Sequence, residues 1–161
     1  MAKSTFRKLI HDAQQRIMRA SPFRLQVRRS GIHRLGVFAG KQIPARVRVI
    51  EYTGERISRV ETRRRFLEIM HKYNGRFNYL AGIDPYWAID GAVGGCGAEF
   101  INHSCEPNMV KRSVRGRIWL VSLRKIRRGE ELSYDYKFSK KGEPEACYCE
   151  SAKCRGTINV R

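Results

Sequence analysis

Phe100-Ile101-Asn102-His103-Ser104-Cys105-Glu106-Pro107-Asn108 is the stretch on which the reading of this sequence turns. Its asparagines, serine and proline are turn formers, and among them stand an imidazole, His103, and a thiol, Cys105. Three more thiols follow in Cys147-Tyr148-Cys149-Glu150-Ser151-Ala152-Lys153-Cys154, a Cys-x-Cys-x4-Cys cluster in a polar tail too poor in apolar residues to order itself. Clustered thiols of that kind invite a metal, and a structural zinc takes four tetrahedral ligands. Cys105 is the natural fourth ligand and His103 a competing one. Three reduced surface thiols without metal is the plainer alternative, and Cys96 is left for a small core role.

Outward from these segments the chain reads as one domain. Its 161 residues suffice to bury roughly two-thirds of the surface without disulfides. No run approaches the ~20 apolar residues of a spanning helix. Asp12 and two glutamines stand where a signal peptide would have its apolar run, so an intracellular, reducing setting is expected. Lys and Arg number 33 against 15 Asp and Glu, a net charge of +18, and the excess is uneven: residues 1–72 hold 18 basic and 5 acidic side chains, residues 73–161 hold 15 and 10. Lys3, Arg7, Lys8, Arg16, Arg19, Arg24, Arg28 and Arg29 face a single early acid, Asp12. Such density can track phosphates or an acidic protein face, while a merely solvated helix face is an equally ordinary reading.

The coarse organisation is mostly β with two helices. Phe6, Leu9, Ile10, Ala13 and Ile17 recur at helical spacing after a possible Ser4 cap, which predicts a short basic helix ending before Pro22. Alternation at Phe23, Leu25 and Val27, then the runs 36–39 and 47–52, read as strands. Ser58-x-x-Glu61 is a capping box, with Val60, Phe66, Leu67, Met70 and Tyr73 as the apolar stripe of the helix behind it. Arg115-Gly116 separates two β-like runs as a hairpin would. Taken singly, Tyr52, Tyr134 and Tyr136 are ordinary strand tyrosines, and Asn102 and Asn108 are turn formers.

Taken together, the segments are not ordinary. Glu51-Tyr52-Thr53-Gly54-Glu55, Ile89-Asp90-Gly91, residues 100–108, Gly129-Glu130-Glu131-Leu132-Ser133-Tyr134-Asp135-Tyr136 and the cysteine tail occur in one order and spacing. In that order the chain resembles SET-domain protein lysine methyltransferases with a post-SET zinc segment, over about residues 24–161. The resemblance implies a SET-domain fold of small β-sheets with a pseudoknot. It divides the chain into a basic helix at 1–21, a SET domain at 22–138 and a zinc-stabilised post-SET segment at 139–161.

The resemblance also implies chemistry. S-adenosylmethionine would be the methyl donor, contacted by the loop Arg34, Leu35 and Gly36 and by Tyr79, Asn102 and His103. Tyr52 and Tyr136 would line the lysine channel, with Tyr136 catalytic and Tyr134 influencing how many methyls are added. Cys105, Cys147, Cys149 and Cys154 would bind structural zinc. Ala81, in place of a common phenylalanine, should widen the channel, and mono- to dimethylation is expected. Three positions depart from the family pattern: Glu99 stands for an arginine, Arg34 for the first loop glycine, and Glu150 for a glycine between zinc ligands. The expected substrate is a lysine in a histone or other nucleic-acid-associated protein, on chromatin or in a bacterial cytoplasm, with the basic front half docking on nucleic acid or nucleoprotein. A binding module with little catalysis, built on the same basic scaffold, is the alternative.

Overall fold

The computed structural model describes residues 3–73, 78–140 and 144–160. In chain order the elements are α1 (Lys3–Ala20), β1 (Leu25–Arg29), β2 (Leu35–Ala39), β3 (Arg48–Tyr52), β4 (Glu55–Ser58), α2 (Arg59–Tyr73), β5 (Leu80–Gly82), β6 (Trp87–Asp90), a 3-10 turn (Ala98–Phe100), β7 (Asn102–His103), β8 (Met109–Val114), β9 (Arg117–Ser122) and β10 (Ser133–Tyr134). Helix α1 stops before Pro22, as its pattern predicts, but begins at Lys3, so Ser4 lies within it rather than capping it. The side chains of Lys3 and Ser4 lie outside the described set.

The alternation of Leu25 and Val27 with polar neighbours puts both apolar side chains in the core, and β1 pairs antiparallel with β2, Val27 opposite Val37. Helix α1 packs on this pair through Ala13 and Ile17, both fully buried. Gln14 fixes it there, donating to the Leu25 carbonyl and accepting from the Val27 N–H. The helix expected as a docking segment therefore also supplies part of the core.

Three small sheets follow, ordered β1-β2, β4-β6-β5 and β3-β9-β8-β10-β7. The β8–β9 hairpin turns at Arg115 and Gly116, both at positive φ (50° and 74°), as a two-residue primed turn requires. The late strand β10 enters between β8 and β7 and runs parallel to both, with Ser133 opposite Asn102 and Tyr134 opposite His103 and Met109. This insertion is the topological content of the expected pseudoknot, and it sets the two most distinctive sequence segments side by side.

Helix α2 differs from its sequence reading. Ser58 does cap it, its Oγ accepting from the Glu61 N–H at 3.2 Å, but the Glu61 carboxylate turns to Arg64 and Arg65 instead of closing the capping box. Most of the predicted apolar stripe faces solvent, with Val60 83% and Leu67 57% exposed and Met70 half-buried. The Tyr73 side chain lies outside the described set. Ion pairs dock the helix instead, with Arg65 reaching Asp90 on β6 at 2.6 Å and Glu55 on β4 at 2.8 Å.

Candidate active site

The insertion of β10 builds the floor of two adjoining cavities. The larger, about 690 Å³, is lined by Arg34 and Leu35, Tyr79, Asn102 and His103, Tyr136, and the C-terminal tail at Ala146, Cys147 and Tyr148. That volume lies in the range of small-molecule sites. The smaller, about 270 Å³, is lined by Tyr52, Leu80, Ala81, Lys111, Tyr134 and Tyr136 among others. Asn78, Glu99, Tyr136 and Phe138 belong to both walls, so the cavities meet there.

The loop preceding β2 is held from behind. The Asn102 Nδ2 donates to the Leu35 carbonyl at 2.9 Å and to Glu131 Oε1 at 2.8 Å. The same carboxylate accepts from the Ser30 hydroxyl at 2.8 Å. Gly36, expected on the donor wall, stands behind it: a Cβ there would lie 2.2 Å from Glu131 Oε1. Its glycine identity serves the close approach of that carboxylate. Arg34 has φ 37° and Glu150 φ 53°, so both positions that depart from a family glycine occupy left-handed backbone. That geometry explains a glycine preference at both sites.

Tyr52 and Tyr134 are buried, and the rings of Tyr134 and Tyr136 meet at 4.8 Å. Burial raises all three phenols far above the ordinary tyrosine range, so they are neutral near pH 7. Two of their protons are committed: Tyr52 donates to the Tyr79 carbonyl at 2.7 Å and Tyr136 to the Ile101 carbonyl at 2.8 Å. Each hydroxyl oxygen therefore retains lone pairs as an acceptor.

The cysteine tail folds back beneath this floor. Cys105, Cys147, Cys149 and Cys154 place all four Sγ atoms within 4.8 Å of one another, with Cys105 and Cys147 at 3.7 Å. A tetrahedron of thiolates about 2.3 Å from zinc has edges of about 3.8 Å, so the cluster fits the ion. Main-chain N–H groups of Cys105, Arg155 and Gly156 point at the sulfurs of Cys149, Cys105 and Cys154, each at 3.4 Å. His103 stands beside this group of four thiols rather than among them. Its Nδ1 accepts from the Tyr136 N–H at 3.2 Å and its Nε2 stands 3.5 Å from Cys105 Sγ. Burial lowers its pKa to about 4, so the ring is neutral and bridges the thiol cluster to Tyr136. Arg155 completes the fastening through a two-pronged pair with Asp135 at 2.9 and 3.0 Å. Cys96 is half-buried against the core and donates to the Glu51 carbonyl.

Sequence reasoning left out three groups that shape the site. Glu131 lay within a quoted motif, and its role is set by contacts with Ser30 and Asn102 far away in the chain. Glu145 lines the larger cavity from the tail. Arg16, one basic residue among eight, turns inward to pair with buried Glu99 at 2.7 Å and has no local signal that distinguishes it.

Comparison with known proteins agrees with this geometry. Residues 34–137 match the SET domain family. The trithorax histone-lysine N-methyltransferase of Drosophila virilis is 41% identical over 81% of this chain, and that match covers 4% of its own length. The histone-lysine N-methyltransferase ATX2 of Arabidopsis thaliana is 41% identical over 84% of this chain and 13% of its own length. The H3 lysine-4 specific histone-lysine N-methyltransferase of Saccharomyces cerevisiae is 38% identical over 81% and 13%. The chain thus spans a small part of the relatives it matches. With the inserted strand, the paired cavities and the match over residues 34–137, this chain belongs to the SET domain family.

Proposed function

We propose that this chain transfers the methyl group of S-adenosylmethionine to the side-chain amine of a lysine in a histone or another nucleic-acid-associated protein. The observation that carries the reading is the meeting of a ligand-sized cavity with a smaller tyrosine-walled one at Tyr136. A donor in the first and a lysine in the second would approach each other end to end. The relatives' names, all of histone-lysine methyltransferases, support the same class.

The donor supplies a methyl group on a positively charged sulfur. The chain's own residues must then deliver a neutral amine, since free lysine titrates near pH 10.4. Transfer out of water disfavours the ammonium, as do the cations Arg59, Lys111 and Lys137 on the smaller cavity's wall. Lys111 itself has a lowered pKa from burial and from those two neighbours. The Tyr52 and Tyr136 hydroxyls, with protons fixed on backbone carbonyls, accept the amine's N–H groups and aim its lone pair at the methyl carbon. Positioning of this kind, rather than proton abstraction by a phenolate, is the catalytic contribution of the tyrosines. Tyr134 crowds the amine while Ala81 leaves room beside it, which suits mono- and dimethylation.

Arg34 and Leu35 would offer main-chain groups to the donor, Gly36 would back that loop, and Tyr79 would pack beside it. Among the described residues no hydrogen bond reaches the Asn102 Oδ1, which would meet the donor, and buried His103 would contribute its main chain. Cys105, Cys147, Cys149 and Cys154 would hold structural zinc, which would order the tail that closes the donor cavity. Docking on nucleic acid falls to exposed Arg7, Lys8, Arg19, Arg24, Arg28 and Arg29. Two of these lie over aromatic rings, Arg28 over Phe38 at 3.9 Å and Arg29 over Phe6 at 4.6 Å.

Isothermal titration with S-adenosylmethionine, followed by a labelled-methyl assay on purified histones, tests the reading. Binding with methyl incorporation into lysine supports it. Binding without incorporation into any lysine substrate favours the scaffold alternative.

A further inference from the structure

We propose that Arg16 of the N-terminal helix holds the carboxylate at the amino-acid end of the donor, so that α1 is part of the donor site. The inference rests on the larger cavity being the donor site. Glu99 is the anchor. It is 7% exposed, its Oε2 accepts from the Gly97 N–H at 2.7 Å, and its Oε1 pairs with Arg16 Nη1 at 2.7 Å. The backbone is tight around it: a Cβ on Gly95 would come within 2.8 Å of Glu99 Oε2, and one on Gly97 within 2.8 Å of Ile17 on α1. A carboxylate buried this way needs its cation, and the packing leaves that cation one place to be.

Arg16 Nη1 also donates to the Gly95 carbonyl. Among the described residues its Nη2 and Nε make no hydrogen bond, and its Cζ sits 5.7 Å from the Phe100 ring centre. The guanidinium is thus fixed through Nη1, and Arg16 is one of the residues that line the larger cavity. A pinned guanidinium with spare donors is matched to a carboxylate. The part of the lining that the C-terminal tail contributes, Ala146, Tyr148 and Ile158, suits a flat base instead. The polarity of the cavity therefore orients the donor, amino acid toward α1 and adenine toward the tail, with sulfur near the shared wall at Glu99 and Tyr136.

The test compares S-adenosylmethionine with its decarboxylated analogue by titration calorimetry on the full chain. Wild type should favour the carboxylated form by about tenfold to a hundredfold, the range of a charge-assisted hydrogen bond. Arg16→Met should abolish that preference by weakening only the carboxylated form. Arg16→Lys, which keeps a charge for Glu99, should retain part of it and serves if the methionine variant does not fold. An unchanged preference in both variants overturns the proposal, as does equal weakening of both ligands, which marks a purely structural role. Loss of the preference in Arg34→Met but not in Arg16→Met assigns the carboxylate to the other cation on the wall and also overturns it. If wild type binds neither ligand, the donor reading itself fails and takes this inference with it.

Discussion

Replacing Gly36 by alanine strikes the contact that holds the loop leading into β2. The new Cβ would stand 2.2 Å from Glu131 Oε1, 2.8 Å from its Cδ and 3.0 Å from the Ser30 Cβ, closer to the carboxylate than real Cβ atoms go. Glu131 is a side-chain end and can swing away. In doing so it forfeits the Asn102 Nδ2 bond at 2.8 Å and the Ser30 Oγ bond at 2.8 Å. Hydrogen bonds to a charged group contribute about 1.5–3 kcal/mol each, and water at this half-buried carboxylate recovers part of that, leaving a net loss of about 2–3 kcal/mol. Glu131→Ala loses the same two bonds without a clash, so it should cost about 2 kcal/mol. The double variant should cost no more than Glu131→Ala alone, a coupling of about 2 kcal/mol for residues in contact. Urea denaturation of the four proteins measures each difference. Additive costs, or a Gly36→Ala variant as stable as wild type, would refute the assignment of Gly36 to this contact.

Two further outcomes follow from the tail. Cys105→Ser and Cys149→Ser should each lose zinc by elemental analysis and bind S-adenosylmethionine more weakly, because Ala146, Cys147 and Tyr148 wall the larger cavity, the proposed donor site; full zinc content in both variants would exclude the four-cysteine set. Glu150→Gly should raise the melting temperature by about 2–4 °C, since it frees a φ of 53° from the roughly 1 kcal/mol that left-handed backbone costs an ordinary residue.

The sequence carried the parts of the structure that are local. The Arg115-Gly116 hairpin, the Ser58 cap and the Cys-x-Cys-x4-Cys tail each depend on neighbours a few residues apart, and each forms as its pattern implies. The docking of α2 did not show, because periodicity registers apolar side chains, and this helix is held by Arg65 against Asp90 and Glu55 from two other strands. Arg16 was hidden for the same reason. It resembles its basic neighbours until folding brings α1 against the turn that carries Glu99, a partner 83 residues later in the chain. The tyrosines illustrate the opposite limit: their positions were legible from the family resemblance, whereas the commitment of their protons to the Tyr79 and Ile101 carbonyls is a matter of three-dimensional placement. That commitment separates an acceptor role from a base role.

Intact-mass spectrometry of histone H3 incubated with S-adenosylmethionine and either wild type or Tyr136→Phe is the decisive measurement for lysine methylation through Tyr136. Wild type should add one and two methyl groups to lysine, and the phenylalanine variant should bind the donor with unchanged affinity but add none. No methyl addition to histone or any other lysine protein by donor-bound wild type, or equal addition by Tyr136→Phe, would contradict it.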